Sequence, residues 1–181
     1  LFSISLNSFA FSAIEPAQRW IRERSHLARL LERSGDPLAM LPDEVDQDYL
    51  RDQVVIIGYG GVGRRLSENL IQQNIKVVIA EENREIVEKL RFEGIAAVTG
   101  EATEPGVLIQ AHIQHARLLV ISPMDILDIH RIVDISKQLN PEIQVLICAE
   151  SKEEAVVIRK DNIGEVFYAK EELAKKMSHH I

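Results

Sequence analysis

The sequence predicts an α/β fold: a doubly wound parallel sheet covered on both faces by helices, behind a helical lead-in that flanks a membrane. Short, continuously apolar runs alternate with helical patterns from residue 53 onward, and such runs belong to strands buried on both faces. A glycine-rich turn stands between the first run and the first helical pattern, at Gly58-Tyr59-Gly60-Gly61-Val62-Gly63. A cluster of arginines with one tryptophan, ahead of residue 34, predicts the lead-in.

The opening, Leu1 to Ile14, is apolar and uncharged, and shorter than the roughly 20 residues that span a bilayer. It begins on Leu rather than Met, as a processed or truncated product does, and lacks the basic start of a signal peptide. Arg19, Trp20, Arg22, Arg24, Arg29 and Arg33 follow, the pattern of a membrane helix leaving on the cytoplasmic side. Residues 1–33 therefore read as the end of a transmembrane helix and a juxtamembrane helix. Ser34-Gly35-Asp36-Pro37 stops it, and residues 34–52, with Pro42 and little periodicity, read as a linker.

Gln53–Ile57 is the first strand, and a helix carrying Val62, Leu66, Leu70 and Ile71 follows. Strands are expected at 76–80, 95–98, 117–121, 143–148 and 165–168. Helices are expected around 83–92, 103–111, 125–139 and 151–161 and at the terminus. Asn140-Pro141 breaks the helix before the fifth strand. Residues 53–181 thus read as one domain of the doubly wound, Rossmann-like kind.

The turn matches G-x-G-x-x-G in the context the chemistry needs, between a strand and a helix. Gly58 allows the tight turn, Gly60 lets backbone approach a phosphate, and Gly63 permits close packing of helix on sheet. Tyr59, Gly61 and Val62 complete the loop, and the helix presents N–H groups and its positive dipole end to the anion. Glu81 ends the second strand about twenty residues further on, where a carboxylate accepts ribose hydroxyls and repels a 2′-phosphate. Glu82 adds to that acidity. Thr99-Gly100-Glu101-Ala102-Thr103-Glu104-Pro105 follows the third strand, with Thr103 as the expected N-cap and Glu101 and Ala102 facing an adenine edge. Ser122 occupies the same carboxyl edge of the sheet. The expected ligand is an adenosine nucleotide without 2′-phosphate, AMP or NAD(H).

With 28 acidic and 21 basic side chains the net charge is −7, which argues against a nucleic-acid partner. The single cysteine, Cys148, excludes a disulfide framework and suits a reducing compartment. It reads as an inert core thiol. His112 and His115 form only a pair, short of a zinc site. Arg64 and Arg65 read equally as phosphate partners and as solvated helix residues. Ile126, Ile129, Ile132 and Val133 form a sheet-facing stripe whose surplus would be a subunit interface.

Taken in succession, Gly58–Gly63, the acid ending strand two and Gly100-Glu101-Ala102-Thr103 resemble the TrkA-N, or RCK, domain over residues 51–170. The lead-in, Ile4-Ser5-Leu6-Asn7 and Ile14-Glu15-Pro16, resembles the end of the last membrane helix of Kef-type cation/proton antiporters. Gly61 stands where many relatives place an arginine, Glu101 where an aspartate is usual, and Cys148 near another arginine position. The resemblance implies a nucleotide-binding regulatory domain of a potassium or other monovalent cation/proton antiporter. It implies a transmembrane domain in the same chain, a homodimer, and a place on the cytoplasmic side of the inner membrane. The alternative is an NAD-dependent oxidoreductase. Against it, nearly every residue after Gly58 is used by the nucleotide fold, and Tyr59 and Tyr168 lack a lysine four positions on.

Overall fold

Six parallel strands form one sheet in the order β3-β2-β1-β4-β5-β6. They are β1 (Val54–Ile57), β2 (Val77–Glu81), β3 (Ala96–Thr99), β4 (Leu118–Ile121), β5 (Gln144–Ala149) and β6 (Glu165–Tyr168). The structure, a computed structural model, describes residues 37–42, 45 and 49–179. Two compact units divide after Pro37, and the one from Leu38 onward carries the sheet.

The apolar runs are strands because both of their faces are covered. Val54, Ile56, Val77, Ile79 and Ala97 face one core, shared with Val87 and Leu90. Their neighbours Val55, Ile57, Val78, Ala80 and Val98 face the other, with Leu108, Ile129, Ile132, Ala155 and Ile158. The first core is roofed by α1 (Gly61–Gln72) and α2 (Arg84–Phe92). The second is roofed by α3 (Pro105–Gln110), α4 (Ile126–Leu139) and α5 (Lys152–Asp161). A last helix, α6 (Ala169–Ser178), follows β6, and a 3₁₀ turn at Ile113–His115 precedes β4.

Local chemistry sets the helix starts. The Asn83 side chain accepts from the amides of Glu85 and Ile86, and Asp125 accepts from Leu127. Ser151 accepts from Glu154, whose carboxylate reaches back to the Glu150 amide at 2.9 Å. One expectation is corrected. Thr103 is not the N-cap of α3; Glu104 is, at φ −93° and ψ 124°. Pro105 occupies the first helical position and disfavours helical backbone in the residue before it, so the cap falls one residue later than expected. Thr103 is buried instead.

The end of a membrane helix expected over residues 1–33 lies outside the described residues. Among the described residues no helix is long and apolar enough to cross a membrane. The stretch read as a linker contributes to the domain wherever it is described. Leu38 and Leu50 are buried, and Leu41, Val45 and Tyr49 pack on the core. Their apolar side chains outweigh the prolines and acids that gave the segment its loop-like texture. The compact unit accordingly begins at Leu38, ahead of residue 53. In α4 the stripe Ile129, Ile132 and Val133 is consumed by the core and Ile126 packs on it, leaving Leu127 as the exposed apolar residue.

Candidate functional site

The strand order reverses between β1 and β4, and ligands of open parallel sheets bind beyond the carboxyl ends of strands at that point. The glycine turn occupies this position. Gly58 has φ +83°, the left-handed region that glycine enters without strain, and its amide donates to Ala80 O at 2.8 Å. Gly63 is required for a different reason. A Cβ there would lie 2.0 Å from Gly58 O and 2.9 Å from Ser122 Oγ, so α1 can start this close to the turn only without a side chain. Gly60 and Gly61 have nothing within 4 Å of an added Cβ, which leaves the tip of the loop open to an approaching group. Gly60 is the N-cap of α1, with no side-chain cap and no acid in the first turn. That is the electrostatic condition an incoming phosphate needs.

Glu81, half-buried at the end of β2, is bound to this turn on both carboxylate oxygens. The Tyr59 amide donates to Oε2 at 2.6 Å and the Asn83 amide to Oε1 at 2.9 Å. A carboxylate offers about four lone-pair directions. Two are taken by backbone, so further hydroxyl donors can be accepted without displacing either amide.

Beside the turn lies a cleft of about 130 Å³, lined by Gly58, Glu81, Glu82, Glu101, Ala102 and Thr103 among the residues read from the sequence. Ile57, Ala80 and Gly100 contribute from strand ends, and Met124, Asp128 and Ile132 form the wall from α4 and its approach. Sequence reading missed the α4 contributors. Ile132 was assigned to the sheet-facing stripe, and the exposed Asp128 carries no motif. The signal available was the position of Met124 and Asp128 just beyond a strand that borders the reversal point.

The other expected residues act differently. Tyr59 turns its side chain onto the core that underlies α1 and α2, and burial pushes its phenol up from the ordinary value. Its part in the site is its amide. Ser122 is buried and its hydroxyl donates to Gly58 O at 3.0 Å, bracing the turn from the far side of the reversal. Neither Gly60, Gly61, Val62 nor Gly63 lines the cleft; they form the turn and helix start alongside it. Arg64 pairs with Glu68 at 3.9 Å, both side chains being more than half exposed.

Cys148 lies half-buried in β5 rather than in the core where it was expected, and its partial burial pushes its thiol up, which favours the protonated form. His112 has its imidazole held below the ordinary value by burial and by neighbouring His115. Among the described residues no group of three or more metal-ligating side chains is assembled.

The chain is similar to known proteins along most of its length. It is 26% identical over 178 residues to YbaL of Escherichia coli (strain K12), described as a candidate cation/proton antiporter. That match covers 98% of this chain and 30% of YbaL. It is also 26% identical over 133 residues to the glutathione-regulated potassium-efflux system protein KefC of Enterobacter sp. (strain 638), covering 74% of this chain and 21% of KefC. The chain therefore spans less than a third of the length of these curated relatives. Among solved structures, the TrkA-N domain of the E. coli inner membrane protein ybaL superposes with a TM-score of 0.65 at 28% identity. The match covers 72% of this chain and 97% of that one. The Kef C-terminal domain of Shewanella denitrificans, solved in an AMP-bound form, shares the fold with a TM-score of 0.59 at 19% identity, over 69% of this chain and 75% of that one. A family model for the TrkA-N domain matches residues 54–169, β1 through the start of α6, and the chain belongs to that family.

Proposed function

We propose that this chain is the nucleotide-binding regulatory domain of a monovalent cation/proton antiporter. An adenosine nucleotide without a 2′-phosphate, AMP or NAD(H), binds over the Gly58–Gly63 turn and sets ion flux through a membrane domain of the same polypeptide. The observation that carries this reading is Glu81: a carboxylate with acceptor capacity to spare, lining a cleft beside the open glycine turn. Ribose hydroxyls satisfy it, whereas a 2′-phosphate brings a second anion against it. The names of the relatives, a potassium-efflux protein and a cation/proton antiporter, supply the transport context. The AMP-bound relative of the same fold supports the ligand class.

On this reading Glu101 and Ala102 meet the base, Gly60 and the start of α1 meet the phosphate, and the membrane partner holds the domain at the cytoplasmic side of the inner membrane. Two copies pair about a two-fold axis, the commonest closed assembly. The role is binding and not catalysis, because the residues after Gly58 are consumed by the nucleotide fold and leave no separate substrate region.

Thermal unfolding in the presence of AMP, ADP, NAD, NADH and NADPH tests the proposal. Ligand at 100 times its dissociation constant stabilises the folded state by about 2.7 kcal/mol. AMP or NAD(H) should raise the midpoint and NADPH should not. Stabilisation by NADPH equal to that by NADH overturns the ribose assignment.

A further inference from the structure

The strand next to the cleft is also the edge strand, and its edge is occupied. Thr99, the last residue of β3, donates its amide to Leu38 O at 2.8 Å. The same carbonyl accepts from the Arg91 guanidinium at 2.9 Å. Arg91 also bonds Met40 O through that nitrogen and donates from Nε to Ala97 O at 2.9 Å. One planar fork at the end of α2 therefore fastens two carbonyls of the incoming chain and one of β3. Leu38 adds an apolar anchor, buried in the core beneath α2 with Val87 and Leu90.

This fastening point is one residue from the cleft. Gly100 follows Thr99, lines the cleft, and donates its amide to Glu81 O at 3.1 Å. Thr99 Oγ1 reaches Glu82 O at 3.5 Å. Gly100 has φ +143° and an added Cβ would lie 2.6 Å from Val107 Cγ2, so the turn has little room to deform by itself. Gly100 thus joins the lining of the cleft directly to Thr99, whose amide holds Leu38.

We propose that the Leu38–Met40 segment, held on the β3 edge by Arg91, passes occupancy of the cleft to the chain that precedes the domain, with Arg91 as its positioning residue. This rests on the nucleotide reading above and specifies how that site regulates. It has a thermodynamic consequence that a merely structural clamp lacks. Coupling between two sites is reciprocal, so loosening the segment must change nucleotide affinity by the factor with which nucleotide tightens the segment. Arg91 does not line the cleft, so this change cannot come from a lost ligand contact.

The test measures AMP and NAD dissociation constants on the full chain for the wild type, Arg91→Met and the charge-conserving Arg91→Lys. Arg159→Met serves as control, since Arg159 fastens Val166 O at 3.2 Å on the opposite edge of the sheet. Circular dichroism confirms that each variant is folded, and amide exchange follows residues 38–42, 58–63 and 96–103. Arg91→Met should weaken binding about fivefold or more, the lower end of ordinary allosteric coupling. Arg91→Lys should fall between, and Arg159→Met should match the wild type. Nucleotide should slow exchange of the Thr99 amide, the donor to Leu38 O, in the wild type and not in Arg91→Met. Affinity within twofold of wild type in Arg91→Met, or equal weakening in Arg159→Met, overturns the proposal. So does unchanged exchange of the Thr99 amide while 58–63 becomes protected. If wild-type protein shows no protection at 58–63 with either nucleotide, the nucleotide reading itself fails and takes this proposal with it.

Discussion

The amide of Tyr59 donates to Glu81 Oε2 at 2.6 Å, so the residue expected to choose the ribose also holds the tip of the glycine turn. Replacing Glu81 by Gln keeps the shape but turns one acceptor into a donor that faces a backbone amide. Glu81→Gln and Glu81→Ala should each weaken NAD binding by tenfold or more, about 1.4 kcal/mol. The ratio of NADPH to NAD affinity should rise, because the carboxylate that repels the 2′-phosphate is gone. Isothermal titration with both dinucleotides measures the ratio; an unchanged ratio removes Glu81 from the specificity argument.

Gly60 and Gly63 should separate binding from stability. Gly63→Ala drives a methyl into Gly58 O, a backbone atom that cannot swing away, and should cost more than the roughly 1–3 kcal/mol of ordinary overpacking. Gly60→Ala meets nothing within 4 Å and has φ −75°, which alanine tolerates. Its urea midpoint should stay near wild type while nucleotide affinity falls. Equal stability losses in the two variants would contradict the packing role assigned to Gly63.

Ser122→Ala removes the hydroxyl that braces Gly58 O. The expected cost is about 0.5–1.5 kcal/mol, the usual worth of such a bond. Because Ser122 does not line the cleft, ligand affinity should move only as far as the turn relaxes. Urea denaturation and titration on the same preparation check this. A large affinity loss without a stability loss would place Ser122 in contact with ligand.

Cys148 gives a pH dependence whose sign is fixed by burial. Its thiol is raised in the folded state above its unfolded value, so the unfolded chain ionises first. The stabilisation is fully present below the unfolded value of about 8.5 and is lost as pH rises through the folded value. Urea midpoints should therefore decline in this alkaline window, and Cys148→Ala should flatten that part of the profile. Alkylation by iodoacetamide at pH 7.5 should be slower in folded than in unfolded protein. Equal rates in the two states would contradict a protected thiol.

Flux measurements address the regulatory reading directly. If the proposed function holds, nucleotide should change cation/proton exchange in proteoliposomes holding the full-length protein about 5- to 150-fold, the span of typical coupling energies. Gly60→Asp and Glu81→Ala should behave as though nucleotide were absent. If both variants respond like wild type, regulation does not pass through this cleft.

Much of this architecture is legible in the sequence because its signals are local. Gly58 and Gly63 are demanded by a turn angle and by one interatomic distance, and Glu81 sits at the end of a strand whose apolar run marks its own limits. What was not legible depends on distant segments. Asp128 and Met124 belong to the cleft only because β4 pairs with β1 and brings the start of α4 beside the turn. Leu38 and Arg91 are separated by β1, α1 and β2 along the chain, and nothing in a Pro- and Asp-rich stretch announces that its carbonyls will be fastened by a helix end. Thr103 lost the capping role to its neighbour because a proline constrains the residue before it, a local rule whose outcome decided one position. Tyr59 points its ring away from the site because the apolar floor beneath α1 rewards burial of an aromatic ring.

The order of strands also imposes a schedule on synthesis. β1 is central, flanked by β2 and by β4, and β4 leaves the ribosome only after β2 and β3 have been made. Until residue 121 emerges, one side of β1 presents unpaired amides and carbonyls along Val54–Ile57, four apolar residues in a row. A nascent chain of this length is therefore an adhesive half-sheet, open to pairing with other chains. Truncations that stop before β4 should accumulate in inclusion bodies or on chaperones, whereas those that retain β4 and β5 should not.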